Sequence, residues 1–261
     1  MNGKVFAIIS TIGCVACSPS TPPRPAVPEP YTSGDQLLEA MQNRYVGRWY
    51  RTLTFVQETS TFAASGDSTE AVWYEALQLP SLLRIDFDPL DQRNGVIVRG
   101  DSQYVFQRGQ ITRRIARTNE LLLLGFDVYF LQPSTTAAWL RRLGFDLSRI
   151  RQDEWQGRRV YVVGATSAAD MTSKQFWVDR EHLLFVRLVQ PGASGRMQDI
   201  RFLNYEPLGR TWIAPLVEIY EDGRLVMREE YRHMRVDVAL DSTLFDPARF
   251  ATAQHWYRTT R

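Results

Sequence analysis

Between Arg48 and Met234, short runs of alternating apolar and polar residues follow one another, joined by brief turn-like segments. A side-chain period of two is that of a strand with one buried face. Short connections can join only antiparallel neighbours, because parallel strands need a crossover of about a dozen residues or more. This pattern excludes a helical bundle and a doubly wound parallel sheet. Turn chemistry marks the joins at Arg108-Gly109, Gln156-Gly157, residues 191–195, residues 207–209 and residues 221–224. The runs predict a mainly β fold: about eleven strands in up-and-down order, forming a single strongly curved antiparallel sheet, an open or half barrel, with helices over the concave face.

The phase of the alternation predicts which side chains line that face. Leu83, Ile85 and Phe87 alternate with Arg84 and Asp86, Tyr104 and Phe106 with Gln103 and Gln107, and Leu184, Val186 and Leu188 with Arg187. On this basis the candidate walls of an apolar ligand cavity are Leu53, Phe55, Ile85, Phe87, Phe106, Val186, Leu188, Phe202 and Met227. The bland reading is that the same residues simply fill a core.

Two segments break the period. Ser33-Gly-Asp-Gln36 has the form of a capping box, and the helix it opens carries Leu37, Leu38, Met41 and Tyr45 on one stripe. The second segment, residues 119–143, presents Leu121, Leu122, Leu124, Phe126, Tyr129 and Phe130, more apolar surface than one helix face needs. Gly125, Pro133 and Gly144 offer places to bend or end helices. Leu37, Met41, Leu121, Leu122, Leu124, Tyr129 and Phe130 are therefore expected to form helices covering the cavity, with residues 119–143 as a movable cover.

The N-terminus reads as export and anchoring. Lys4 precedes the apolar run from Val5 to Cys17, which is too short to span a bilayer comfortably and has the layout of a secretory signal. Val15-Ala16-Cys17-Ser18 resembles a bacterial lipobox, although Cys14 stands where such motifs usually carry leucine. The resemblance implies cleavage before Cys17 and acylation of its thiol. Cleavage before Cys14, or an ordinary signal with two incidental cysteines, are the alternatives. The expected organisation is a signal peptide over residues 1–16, a Pro-rich tether over 17–32 and one domain over 33–261.

Other functions find little support. Thirty-one basic residues against 29 acidic ones leave a formal net charge of +2, with no one-signed field to argue for nucleic acid. No cysteine follows Cys17, and His182, His233 and His255 are widely separated, so no metal site is expected and no cofactor is implied. No G-x-S-x-G elbow, phosphate loop or G-x-G-x-x-G occurs, and adjacent acids such as Glu229-Glu230 point to opposite faces of a strand. No catalytic residue is assigned, and the chain is read as non-enzymatic.

The order of several weak motifs resembles the bacterial lipoprotein-carrier superfamily typified by LolA and LolB, to which the sigma-factor regulator RseB also belongs. Residues 41–45 followed by Phe55-Val-Gln57 resemble its opening helix and first strand. Pro80-Ser-Leu-Leu-Arg84-Ile-Asp-Phe87 and Asp101-Ser-Gln-Tyr104-Val-Phe106 resemble two later strands, and Asp241-Ser-Thr-Leu-Phe245-Asp-Pro247 the close. The likeness runs from about residue 33 to 250 and is nearest to the outer-membrane lipoprotein-sorting proteins. It implies a periplasm-facing protein, anchored to the outer membrane by its N-terminal lipid, that binds acyl chains such as palmitate or an acylated lipoprotein, in lipoprotein or lipid transport. The alternative is an RseB-like sensor or interaction module with an envelope protein partner. A hydrolase would need a Ser or Asp within reach of His182 or His233 in a cleft.

Overall fold

The computed structural model describes residues 30–192 and 195–257. The expected signal peptide, both cysteines and the expected tether up to residue 29 lie outside the described residues. The chain enters through α1 (Gly34–Tyr45) and then runs through six strands: β1 (Thr52–Phe62), β2 (Ser68–Gln78), β3 (Leu82–Phe87), β4 (Asn94–Arg99), β5 (Ser102–Gln107) and β6 (Gln110–Ala116). A helical interlude follows, comprising α2 (Glu120–Gly125), a 3-10 turn (Asp127–Tyr129) and α3 (Pro133–Arg142). The second series is β7 (Ile150–Trp155), β8 (Arg158–Val163), β9 (Gln175–Asp179), β10 (Phe185–Pro191), β11 (Met197–Leu203), β12 (Glu206–Leu208), β13 (Thr211–Ile213), β14 (Leu216–Glu221) and β15 (Arg224–Val236).

Thirteen of these strands form one antiparallel sheet in the order β6-β5-β4-β3-β2-β1-β15-β14-β11-β10-β9-β8-β7, and β12 and β13 make a small separate ribbon. The predicted count of about eleven is therefore too low. The stretch from Thr211 to Glu221 is broken at Ala214-Pro215: its first part, β13, pairs with β12, and only its second part, β14, joins the large sheet. Proline has no N–H for a ladder, which makes such a break natural. The order also departs from a simple meander. Two meanders meet in the middle, where the last strand returns to pair with the first over registers such as Gln57 with Tyr231 and Thr59 with Glu229.

This topology explains the cover. The sheet does not close, and its two edge strands, β6 and β7, are the ones joined by the α2–α3 segment. The connection from one edge to the other crosses the hollow side. Val98 on β4 and Tyr161 and Val163 on β8 belong to one buried cluster with Leu37, Leu38 and Met41 of α1. Asp127 and Tyr129, two residues apart, bond Ser81 beside β3 and Phe185 on β10; six strand steps separate β3 from β10, about 29 Å in a flat sheet at ~4.8 Å per step, so only a curled sheet brings both onto the same turn.

Local chemistry sets the helix positions. Ser33 Oγ accepts from Gln36 N at 3.3 Å, while Gln36 Oε1 accepts from the backbone N–H of Thr32 at 2.9 Å, so the capping box forms with its return bond one residue earlier than in the standard pattern. Gly34 is required by contact: a Cβ there would stand 2.8 Å from Val163 Cγ1. Asn119 Oδ1 caps α2 by accepting from Leu121 and Leu122 N–H, each at 3.0 Å. This helix ends at Gly125, one of the places expected to end a helix, and the 3-10 turn follows.

The outer face has its own cover. The chain after β15 folds back, and Leu244, Phe245 and Phe250 pack on the outer sides of β2 to β5. Arg84 is its anchor. Its guanidinium bonds Asp86 at 2.7 and 2.8 Å, donates to the carbonyls of Leu244 and Phe250 at 3.2 and 3.0 Å, and lies over the Phe250 ring. His255 Nε2 stands 3.1 Å from Asp86. Despite its burial, Asp86 is held below the ordinary carboxylate range by the hydrogen bonds and charges of His255 and Arg84.

Candidate ligand-binding groove

The concave wall has two regions. Beneath α1, α2 and α3 it is closely packed: Leu53, Phe55, Leu188 and Phe202 from the sheet, and Leu37, Met41, Leu122, Leu124 and Tyr129 from the helices, are all buried in one cluster. Ile85, Leu121 and Phe130 pack against it while keeping some surface. At Gly125 the fit is tight, since a Cβ would meet the Phe202 ring at 3.1 Å. The structure thus gathers these predicted wall and cover residues in one place.

Beyond the helices, the wall continues as half-buried side chains. Ile85 and Phe87 on β3, Val96 on β4, Ile219 on β14 and Met227 on β15 share the inward phase, with Trp73 on β2 joining Phe87 at 5.1 Å between ring centroids. Phe87 and Met227 belong to this more open stretch.

Phe106 and Val186 are corrections. Phe106 faces outward, stacked on Phe250 at 3.9 Å and 9° beside Ile97. The C-terminal segment buries the outer side here, so on β5 the greasier phase points away from the hollow, while Val105 is the inward residue, paired with Val96. Val186 sits at a register irregularity between Phe185 and Arg187. The extra residue turns it outward into a cluster with Val160, Val162 and Trp177.

The cover is held by polar anchors. Asp127 accepts from both the N–H and the Oγ of Ser81, at 2.9 Å each, and burial raises its pKa to about 6 against the pull of those bonds. Tyr129 OH accepts from Phe185 N–H at 2.8 Å, and its ring stacks on Trp49 at 3.9 Å. Glu120 receives Arg117 and Lys174 at 3.1 and 3.3 Å. Tyr45 OH donates to the carbonyl of His182 at 2.6 Å, tying α1 to the β9–β10 turn.

Four polar residues on the concave wall were given no role from the sequence. Gln57 and Thr59 on β1 are buried and bonded to each other at 2.9 Å. Glu75 lies between Phe55 and Ile85 in the sheet, only 7% exposed. Glu229 accepts from Tyr231 OH at 3.4 Å. Burial pushes both carboxyls upward, Glu75 well above its usual range and Glu229 to about 7, and the repulsion of Glu229 adds to the shift of Glu75. The signal was present in the sequence, since each is a polar residue at an apolar phase position. Glu230 does point the other way, to Arg232 at 2.6 Å.

One histidine that the sequence offered for chemistry has a structural partner. Asp179 Oδ1 stands 3.5 Å from His182 Nδ1, but it caps its own turn by accepting from Glu181 and His182 N–H, and among the described residues no serine or threonine hydroxyl bonds this histidine. Among the described residues no three His, Cys, Asp or Glu cluster as metal ligands, and no helix is long and apolar enough to cross a membrane. A cavity of about 410 Å³ lies elsewhere, under the C-terminal segment, lined by His233, Arg235, Val238, Leu240, Asp241 and Trp256 among others. Its lining mixes charges with apolar groups, unlike the concave strip.

No protein family matches the sequence, and no curated protein is similar to it by sequence. The fold does have counterparts. A DUF1329 family protein from Desulfovibrio piger matches with a TM-score of 0.56 at 15% identity, over 83% of this chain and 97% of its own. An outer membrane lipoprotein-sorting protein domain from Vibrio parahaemolyticus matches at 0.56 and 13% identity over 83% and 97%. A LolA superfamily protein from Nitrosomonas europaea matches at 0.53 and 11% identity over 80% and 96%. The chain has a LolA-like fold.

Proposed function

We propose that this protein is a non-enzymatic, lipid-anchored component of a bacterial envelope that holds the acyl chains of a lipid or an acylated lipoprotein against the concave wall, in lipid or lipoprotein transfer. One observation carries the reading. The inward strip of Trp73, Ile85, Phe87, Val96, Ile219 and Met227 continues the buried core beyond the helices, yet keeps part of its surface accessible. Burial of methylene groups is worth about 0.8 kcal/mol each, so a chain of about sixteen carbons offers roughly 13 kcal/mol before ordering costs. Apolar walls are enough for that, and no catalytic group is needed. The LolA-like fold supports the same class of ligand, and acylation of Cys17 would supply the anchor. Titration with an environment-sensitive fatty-acid probe, together with native mass spectrometry of protein purified from its own host, tests the reading. Saturable uptake and a copurifying lipid are expected, and neither would be seen if the hollow were only a core.

The close packing beneath the helices favours a second reading, in which the fold is an interaction module for another envelope protein and carries no ligand. That reading predicts no probe uptake at any concentration.

A further inference from the structure

The concave wall segregates charge. On β1, β3, β14 and β15, Glu58, Arg84, Asp86, Glu218, Arg228, Glu230 and Arg232 face outward and pair with one another. The inward positions around Glu75 and Glu229 are Phe55, Gln57, Thr59, Trp73, Ile85, Ile219, Met227 and Tyr231, with no Lys, Arg or His among them. The other titratable groups near the two acids are Tyr231 and, beyond it, Tyr205. Glu229 has Tyr231 and Gln57 as hydrogen-bond partners. Among the described residues, no hydrogen bond or ion pair reaches the carboxyl of Glu75, which is more than nine-tenths buried and aims into the hollow beside the Gln57–Thr59 pair.

Buried acids normally have a counter-charge or several donors, because burying an unpaired carboxylate costs far more than burying a methylene gains. Two acids on one wall without a cationic partner among the described residues, with Arg84, Arg228 and Arg232 facing the other side, leave a complementary place for a positive group brought from outside. We propose that Glu75 and Glu229, with Gln57, Thr59 and Tyr231, form a subsite for a protonated amine at the polar end of an amphiphile whose chains lie along the apolar strip. This rests on the acyl-binding reading above and adds the polar specificity of the same groove. An ammonium group has three donors and a full charge; Glu75 and the amide oxygen of Gln57 offer acceptors for it, while Glu229, four residues further along β1 on its other side, adds attraction at longer range. On its arrival the acids are favoured in their ionised forms, so the preference for an amine should grow as pH rises.

The test is competition of dodecylamine, dodecanol and n-propylamine against a fluorescent fatty-acid probe at pH 5 and pH 8. An alkyl ammonium stays protonated at both values, its pKa lying near that of lysine at ~10.4. Dodecylamine should bind at least about tenfold more tightly than dodecanol at pH 8, and the ratio should fall at least about threefold at pH 5. Glu75→Gln and Glu229→Gln should each reduce that ratio, and an unaltered near-ultraviolet circular dichroism spectrum shows that the variants fold. Equal affinity for amine and alcohol, or a ratio that rises on acidification, would overturn the subsite while leaving the acyl reading intact. Binding of n-propylamine as tight as dodecylamine would assign the subsite to free amines and overturn the acyl reading. Failure of both dodecyl ligands would overturn both.

Discussion

Glu229→Gln should stabilise the protein, and only at neutral to alkaline pH. Burial raises the carboxyl of Glu229 from 4.5 to about 7. The folded state therefore favours the protonated form. Its contribution is fully present below about pH 4.5 and is lost as pH rises to about 7, because the unfolded chain releases the proton earlier. At ~1.36 kcal/mol per pH unit the loss approaches about 3 kcal/mol by pH 8. The residue keeps some surface, so solvent screening makes that a ceiling. Glutamine has the same shape, retains an oxygen for the Tyr231 hydroxyl and does not ionise. Removing Glu229 also relieves the repulsion that raises Glu75, which acts in the same direction. Urea unfolding of wild type and variant at pH 4, 6 and 8 should show no difference at pH 4 and a growing advantage for the variant, reaching 1–3 kcal/mol by order of magnitude at pH 8. A difference independent of pH, or an advantage that shrinks with rising pH, would refute the reasoning.

Further outcomes follow from the anchors. Asp127→Ala removes an acceptor of two Ser81 hydrogen bonds, each worth about 1.5–3 kcal/mol to a charged group, so hydrogen exchange in α2 and α3 should speed at least about tenfold while β10 and β14 are unaffected. Because burial raises Asp127 to about 6, the wild-type segment should also open more readily above that pH than at pH 4, after correction for intrinsic exchange. Arg84→Met leaves Asp86 buried without its main counter-charge and should cost about 3–5 kcal/mol in urea unfolding, with residues 238–257 becoming sensitive to protease. Cys17→Ser should move the protein into the aqueous phase of a detergent partition, whereas Cys14→Ser should leave it in the detergent phase; the reverse result would shift the cleavage site.

Much of the sheet was legible because period-two patterning and short turns are local signals. The stripe of Leu37, Leu38, Met41 and Tyr45 and the capping box at Ser33 likewise place α1 correctly. The pairing of β1 with β15 was not legible, since it joins residues some 175 positions apart and no local propensity encodes it. Phase failed where both faces are greasy: Phe106 is buried by Phe250, which arrives from the far end of the chain, and Val186 is turned outward by an irregularity that periodicity cannot show. At Glu75 and Glu229 the alternation did carry information, in the form of acids where the pattern called for apolar residues. Its meaning depends on the inward neighbours that other strands supply, Phe55, Gln57, Ile85 and Ile219 among them, which only the assembled sheet reveals.

The central claim is that acyl chains lie on the concave strip. Photocrosslinking with a diazirine-bearing palmitate analogue, followed by peptide mapping, tests it most directly. Labels should fall on Trp73, Phe87, Ile219 and Met227, and excess unlabelled palmitate should suppress them. Labelling confined to Val238, Leu240 and Trp256, in the cavity under the C-terminal segment, would contradict the account.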